Sequence, residues 1–324
     1  MNFLNYQGVN SDTFQGEGGK PMPVSMLQYI AHYAYGLSEP TLLRMSQALM
    51  DQYEGSKEGL KRKVLEKAIR MAQDTSEKGN KLVPHGIVLS RKATANLIDF
   101  VYYVEGYRGA RMAVGPCICQ YASKKTPPGV DEIEWKDLTL FYGADIYKDI
   151  PLGKRDLPLG HREVNAEEAK EIFEEMHERG YVHNAFYLYG KRSGLFVLCN
   201  CDKDLCRTVR GTRLMGPGLM AEKGPEVTVR DKTKCLGAEE CGMCAKRCPF
   251  GASNIVDGKI VFDQSRCMGC ELCVTTCKGH ARRLVERKDY GYDHILNRTL
   301  VLAGMYGRPE LEVVPEAEEE SKDE

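Results

Sequence analysis

Residues 235–249 read CLGAEECGMCAKRCP, and residues 267–277 read CMGCELCVTTC. The second run is C-x2-C-x2-C-x3-C at Cys267, Cys270, Cys273 and Cys277. The first has the same core at Cys241, Cys244 and Cys248, with Pro249 after it. Its leading Cys235 stands six residues ahead of Cys241, where the second run has three. Such spacing suits a cubane cluster. Two residues between ligands make a tight turn that brings thiolates onto three irons and aims amides at the sulfides. The fourth ligand, three residues on, begins a helix leading away and binds the other cluster. The pattern assigns Cys235, Cys241, Cys244 and Cys277 to one [4Fe–4S] cluster. It assigns Cys267, Cys270, Cys273 and Cys248 to a second. Zinc also accepts C-x2-C pairs, but zinc motifs usually separate two such pairs by a longer spacer. Two consecutive runs of four favour iron–sulfur.

Between the runs, ASNIVDGKIVFDQSRC predicts a β-hairpin with its turn at Asp257–Gly258. Val227 to Val229 predicts a strand ahead of the first run. With strands and cysteine loops arranged in two halves, residues 227–288 resemble a bacterial-type two-cluster ferredoxin domain. The resemblance implies a pseudo-twofold fold, two [4Fe–4S] clusters and one-electron transfer. Two features depart from it: the lengthened CLGAEEC loop, and Lys278 where proline is common after the last cysteine. The same stretch holds twelve basic and seven acidic side chains, which read either as a solvated face or as a charge that raises cluster potentials and guides an acidic redox partner.

Five of the 13 cysteines lie upstream: Cys117 and Cys119 in GPCICQ, and Cys199, Cys201 and Cys206 in CNCDKDLC. A C-x-C pair presents two thiols from a short extended turn, and here the doublet occurs twice. These five form a candidate third metal site, with a third [4Fe–4S] cluster or zinc as occupant. Small buried thiols without a metal are the alternative. If the segments leading into Cys117 and Cys199 neighbour each other, the two groups would face. The upstream half is loosely similar to larger ferredoxin-type proteins of anaerobes, a resemblance that assigns no activity.

Further out, MGPGLMAEKGPE at 215–226 reads as a linker that sustains neither helix nor strand. It divides a helix-rich α+β domain at 1–214, with its two cysteine groups expected on loops, from the ferredoxin-like domain at 227–290, followed by a C-terminal extension at 291–324. Apolar periodicity predicts helices over 26–35, 39–53, 57–73 and 94–107. The segment 165–179 is the clearest, with Asn165 as its cap and Gly180 past its end. Strands are predicted at 181–188 and 194–198, with a turn at 190–193, and a short element near 295–302. The tail PELEVVPEAEEESKDE sets eight acids against one lysine and reads as solvated chain.

Across its 324 residues the chain has a formal net charge of −1, so no global field points to nucleic acid or an anionic membrane. No apolar run approaches the roughly 18–20 residues of a spanning helix, and MNFLNYQGVNSDTFQGEGGK at 1–20 has neither the basic start nor the apolar core expected of a secretion signal. A cytoplasmic location is expected, with clustered cysteines as metal ligands rather than disulfides. GEGGK at 16–20 lacks the phosphate-loop pattern because Pro21 follows the lysine. His85, His161, His177 and His183 read as packing or surface residues, and no dinucleotide motif or catalytic constellation is present. The expected function is electron relay as a subunit of an anaerobic redox enzyme complex, with oxidoreductase subunits as partners. Two rivals stand beside it: a reductase working at the upstream metal site, and a redox-sensing adaptor.

Overall fold

Seven strands form the N-terminal sheet: β1 (His85–Leu89), β2 (Met112–Pro116), β3 (Trp135–Leu140), β4 (Arg162–Glu163), β5 (Val182–Tyr187), β6 (Leu195–Cys201) and β7 (Ala221–Glu222). The computed structural model describes residues 26–78, 85–99, 101–102, 112–140, 161–187 and 195–288. Across the sheet the order is β4-β2-β3-β6-β5-β1-β7. Every pair is antiparallel except β1 with β7.

Side chains alternate between the faces of a strand, and this alternation sorts the sheet into two environments. One face carries Ile87, Leu89, Val114, Leu138, Ala185 and Leu198. It packs under the helices Arg91–Asp99 and Ala166–Arg179 through Leu97, Ile98 and Phe173. The other face carries Val88, Val182, Phe186, Val197, Cys199 and Cys201. It packs against Val209 of the helix Arg207–Met215 and against Phe250, Met268 and Leu272 of the C-terminal domain. Cys199 and Cys201 thus share a face because they stand two residues apart on β6.

Local signals explain several elements. The Asn165 side chain accepts the Glu168 amide at 2.8 Å, and Gly180 closes the same helix with φ 97°. In the C-terminal domain β8 (Glu226–Arg230) pairs antiparallel with β11 (Arg282–Glu286), and β9 (Ser253–Val256) with β10 (Lys259–Phe262). Asp257 and Gly258 join the latter pair with φ 49° and 73°, the left-handed pair that a two-residue hairpin turn requires.

The structure corrects three expectations. The two helices over 26–35 and 39–53 are one helix, Met26–Gly55, running through Pro40. Proline removes one backbone bond there without ending the helix. The stretch 215–226 is not structureless: β7 lies within it and adds a seventh strand to the sheet. The cysteine groups are not confined to loops, since Cys199 and Cys201 end β6. The segments leading into Cys117 and Cys199 are not neighbours either, because β3 runs between β2 and β6. The helix expected over 94–107 is observed as Arg91–Asp99, its remainder falling largely outside the described residues. GEGGK, the 190–193 turn, the element near 295–302 and the acidic tail lie outside them too. Among the described residues no helix is long and apolar enough to cross a membrane.

Candidate metal centres

The two cysteine loops repeat at the level of the backbone. Cys241, Cys244 and Cys248 stand 29 residues ahead of Cys270, Cys273 and Cys277. In each half the next residue adopts a left-handed conformation, Gly242 at φ 61° and Glu271 at φ 67°. A short helix follows, Met243–Arg247 in one half and Leu272–Thr275 in the other. Each half ends with an amide donating to the last thiol: Ala252 to Cys248 Sγ and Ala281 to Cys277 Sγ, both at 3.2 Å. The residues inserted ahead of Cys241 fold into the one-turn helix Gly237–Glu240. Glu271 is not glycine; its carboxylate accepts the backbone N–H groups of Arg91 and Lys92, while Oε2 is buried without a hydrogen-bond partner. Those amides open the Arg91–Asp99 helix, where negative charge is favourable.

Cys248, Cys267, Cys270 and Cys273 come close enough to influence one another's ionisation. Burial, followed by the charges of Cys248 and Cys273, pushes the Cys270 thiol well up. Burial likewise pushes Cys273 up to about 12, against the pull of Thr228 and Arg282. The buried Thr228 hydroxyl lies 3.4 Å from Cys273 Sγ and 3.9 Å from Cys267 Sγ. Cys235, Cys241, Cys244 and Cys277 are half-buried.

Arg282 provides a test of whether a cluster fits. Its side chain is buried, and Nη2 donates to Cys244 Sγ at 3.5 Å while the guanidinium lies 4.7 Å over the Phe262 ring. Its Nε and Nη1 are buried without a hydrogen-bond partner. A buried guanidinium with open donors is costly unless an anionic group meets it. Thiolate-ligated iron–sulfur clusters are such groups. An all-thiol donor set, amides aimed at sulfur and an uncompensated cation fit them together.

The upstream cysteines also meet, although their strands do not pair. Cys117 follows β2, Cys119 lies in the helix Ile118–Ser123, and Cys206 caps the helix Arg207–Met215. The thiols of Cys119 and Cys206 are hydrogen-bond partners, as are those of Cys201 with Cys199 and with Cys206. The carboxyl of Asp137, on the intervening β3, links Cys117 to Cys199 and accepts the Asn200 amide at 3.0 Å. Together the five line a cavity of about 80 Å³ with Asp137 and His161.

The electrostatics of this pocket are those of a dry site. Burial pushes the Cys117 and Cys201 thiols well up; for Cys119 the Cys206 thiol does most, then burial. Cys199 and Cys206 are raised too, although their bonds to Cys201 and Cys119 favour the thiolate. Burial pushes Asp137 up to about 6, opposed by Lys136 and its donors. Lys136 is wholly buried, 3.0 Å from Glu134 and 3.5 Å from the centre of the Tyr181 ring. A metal entering such a site must displace protons from neutral thiols. Among the described residues, no three His, Cys, Asp or Glu side chains converge on one point as a single ion needs, and this holds for the C-terminal cysteines as well.

Several of these residues were not singled out by sequence reasoning. His161 is a pocket residue, not a surface one: a Cβ on Gly115 would overlap its ring. Gly115 immediately before Pro116 and Cys117 was the available signal. Asp137 and Lys136 sit as charges in the middle of WKDLTL, a pattern that marks a buried polar site on a strand. His177 and His183 are buried and stack with ring centroids 5.3 Å apart, and His177 Nε2 lies 3.0 Å from Thr275 Oγ1 of the C-terminal domain.

Residues 228–278 match the family model of the 4Fe-4S dicluster domain. The C-terminal part is therefore an iron–sulfur domain of ferredoxin type, and the chain is an iron–sulfur protein with at least one [4Fe–4S] cluster. Among curated proteins, the (2S)-3-sulfopropanediol sulfolyase activating enzyme of Bilophila wadsworthia (strain 3_1_6) is 57% identical over 37 residues. That stretch is 11% of this chain and 12% of the relative's length. No solved structure matches the chain.

Proposed function

We propose that this chain relays single electrons through two [4Fe–4S] clusters, one held by Cys235, Cys241, Cys244 and Cys277, the other by Cys248, Cys267, Cys270 and Cys273. The observation that carries the reading is the repeat at an offset of 29 residues, which duplicates the turn, the short helix and the amide-to-thiol bond. Each cluster supplies a one-electron couple, and the chain sets its potential through burial, amide donors and nearby charge. Here those levers are the Ala252 and Ala281 amides and the Arg282 guanidinium. The excess of basic over acidic side chains at 227–288 supports docking of an acidic redox partner, such as a subunit of a larger anaerobic oxidoreductase. The stretch shared with the Bilophila protein is too short to bring that protein's activating role to this chain.

Electron paramagnetic resonance on anaerobically prepared, dithionite-reduced protein tests the assignment. Cys241→Ala removes one of two reduced-cluster signals and leaves the other. Two signals unchanged in that variant refute the ligand set.

A further inference from the structure

The pocket formed by the five upstream thiols is not used by the two-cluster reading, and three observations give it a purpose. First, its donors come from separate places in the chain and converge on the module-facing side of the sheet: β6 supplies Cys199 and Cys201, the helix after β2 supplies Cys119 with Cys117 at its N-cap, and the N-cap of another helix supplies Cys206. Second, the thiols surround a volume instead of meeting at a point. A zinc ion holds four sulfurs at about 2.3 Å from one centre and needs no cavity between them. Here the cysteines line a cavity of about 80 Å³. Such a space suits a multi-atom group held at several corners. Third, the pocket shares one apolar cluster with the ferredoxin-type domain. Cys119, Cys199, Cys201 and Cys206 pack into the same cluster as Phe250, Met268 and Cys270. Wholly buried Lys136 lies behind them, where a thiolate-ligated group needs a positive charge.

We propose that this pocket binds a third iron–sulfur cluster, ligated by four of Cys117, Cys119, Cys199, Cys201 and Cys206. Its neighbour is the cluster assigned to Cys248, Cys267, Cys270 and Cys273, not the one assigned to Cys235, Cys241, Cys244 and Cys277. The site itself stands independently of the two-cluster reading; only the identity of its neighbour rests on that reading.

The test uses the full chain, purified without oxygen and reconstituted with iron and sulfide. Iron, acid-labile sulfide and zinc are measured per chain. The expected wild type carries about twelve irons and twelve sulfides, four of each per cluster. The double variant Cys199→Ala, Cys201→Ala loses about a third of both and keeps the reduced-cluster signals that Cys241→Ala affects. Those retained signals also report that the variant has folded. Should it fail to fold, the wild-type count decides: about eight irons overturns the proposal. It is also overturned if the double variant keeps all its iron, or loses one zinc and no iron. Iron-free wild-type protein sinks the two-cluster reading as well. Iron that is lost only on module substitutions sinks the upstream site alone.

Discussion

The stacked pair His177 and His183 makes the fold sensitive to mild acid, and replacing His177 with Gln removes half of that sensitivity. Both imidazoles are buried, at 1% exposure each. Burial first, then the neighbouring His183 and the cations Arg91 and Arg247, pushes His177 down to about 3 from 6.5. Burial, followed by a bond to Asn200 that opposes it, leaves His183 at about 4. In the folded chain both stay neutral at pH 5, while in the unfolded chain they protonate below about 6.5. The unfolded state then binds more protons than the folded one, so stability falls as pH falls through this window. One pKa unit corresponds to about 1.4 kcal/mol, so each histidine costs about 2 kcal/mol between pH 7 and pH 5. Glutamine carries no charge and is long enough to meet the Thr275 hydroxyl that His177 contacts at 3.0 Å. Anaerobic denaturant unfolding at the two pH values gives the comparison. Wild type should lose about 2 kcal/mol more than His177→Gln, and any acid lability common to both proteins cancels in the difference. Curves that fall in parallel, within about 0.5 kcal/mol, would refute the reasoning.

Three other outcomes follow from particular contacts. Arg282→Met, which removes the buried cation beside Cys244, should lower the cluster potential by roughly 50–150 mV, since about 1.4 kcal/mol corresponds to 59 mV for one electron; a redox titration followed by electron paramagnetic resonance measures it. Lys136→Met leaves Glu134 buried without its ammonium partner and should destabilise the fold by about 3 kcal/mol, near the low end for a broken buried pair. The remaining donors to Glu134, from Gln120, Arg179 and Tyr181, keep the loss there, and denaturant midpoints give the value. Gly224→Ala places a methyl on the Val88 carbonyl oxygen and near that of Met268, backbone atoms that cannot turn aside. A loss of about 1–3 kcal/mol is expected, read as a lower melting temperature together with faster proteolysis around 223–225.

The ferredoxin-type domain was legible because ligand chemistry is local: iron fixes cysteine spacing within a dozen residues, and Asp257–Gly258 fixes the hairpin without outside help. The Asn165 helix was legible for the same reason, its cap and its closing glycine both lying in the segment. Of the sheet, only β5 and β6 were legible, read at 181–188 and 194–198. β3 was hidden, because it carries charges where a soluble strand usually shows plain alternation. Asp137 looks like a surface residue until Cys117 and Cys199 are brought to it from either side. Gly36, Leu37 and Ser38, left between the two predicted helices, likewise belong to the single helix Met26–Gly55. The five upstream thiols could be suspected as a set, but their meeting depends on β3 lying between β2 and β6, which no short-range pattern reveals.

Between the end of β7 at Glu222 and the start of β8 at Glu226 only three residues remain, and the middle one, Gly224, donates its amide to the Met268 carbonyl at 3.0 Å. A tether this short, clamped at its midpoint, gives the ferredoxin-type domain no room to swing away from the sheet as a mobile carrier arm does. On the relay proposed above, a donor or acceptor would have to come to this domain where it sits, at a fixed docking berth.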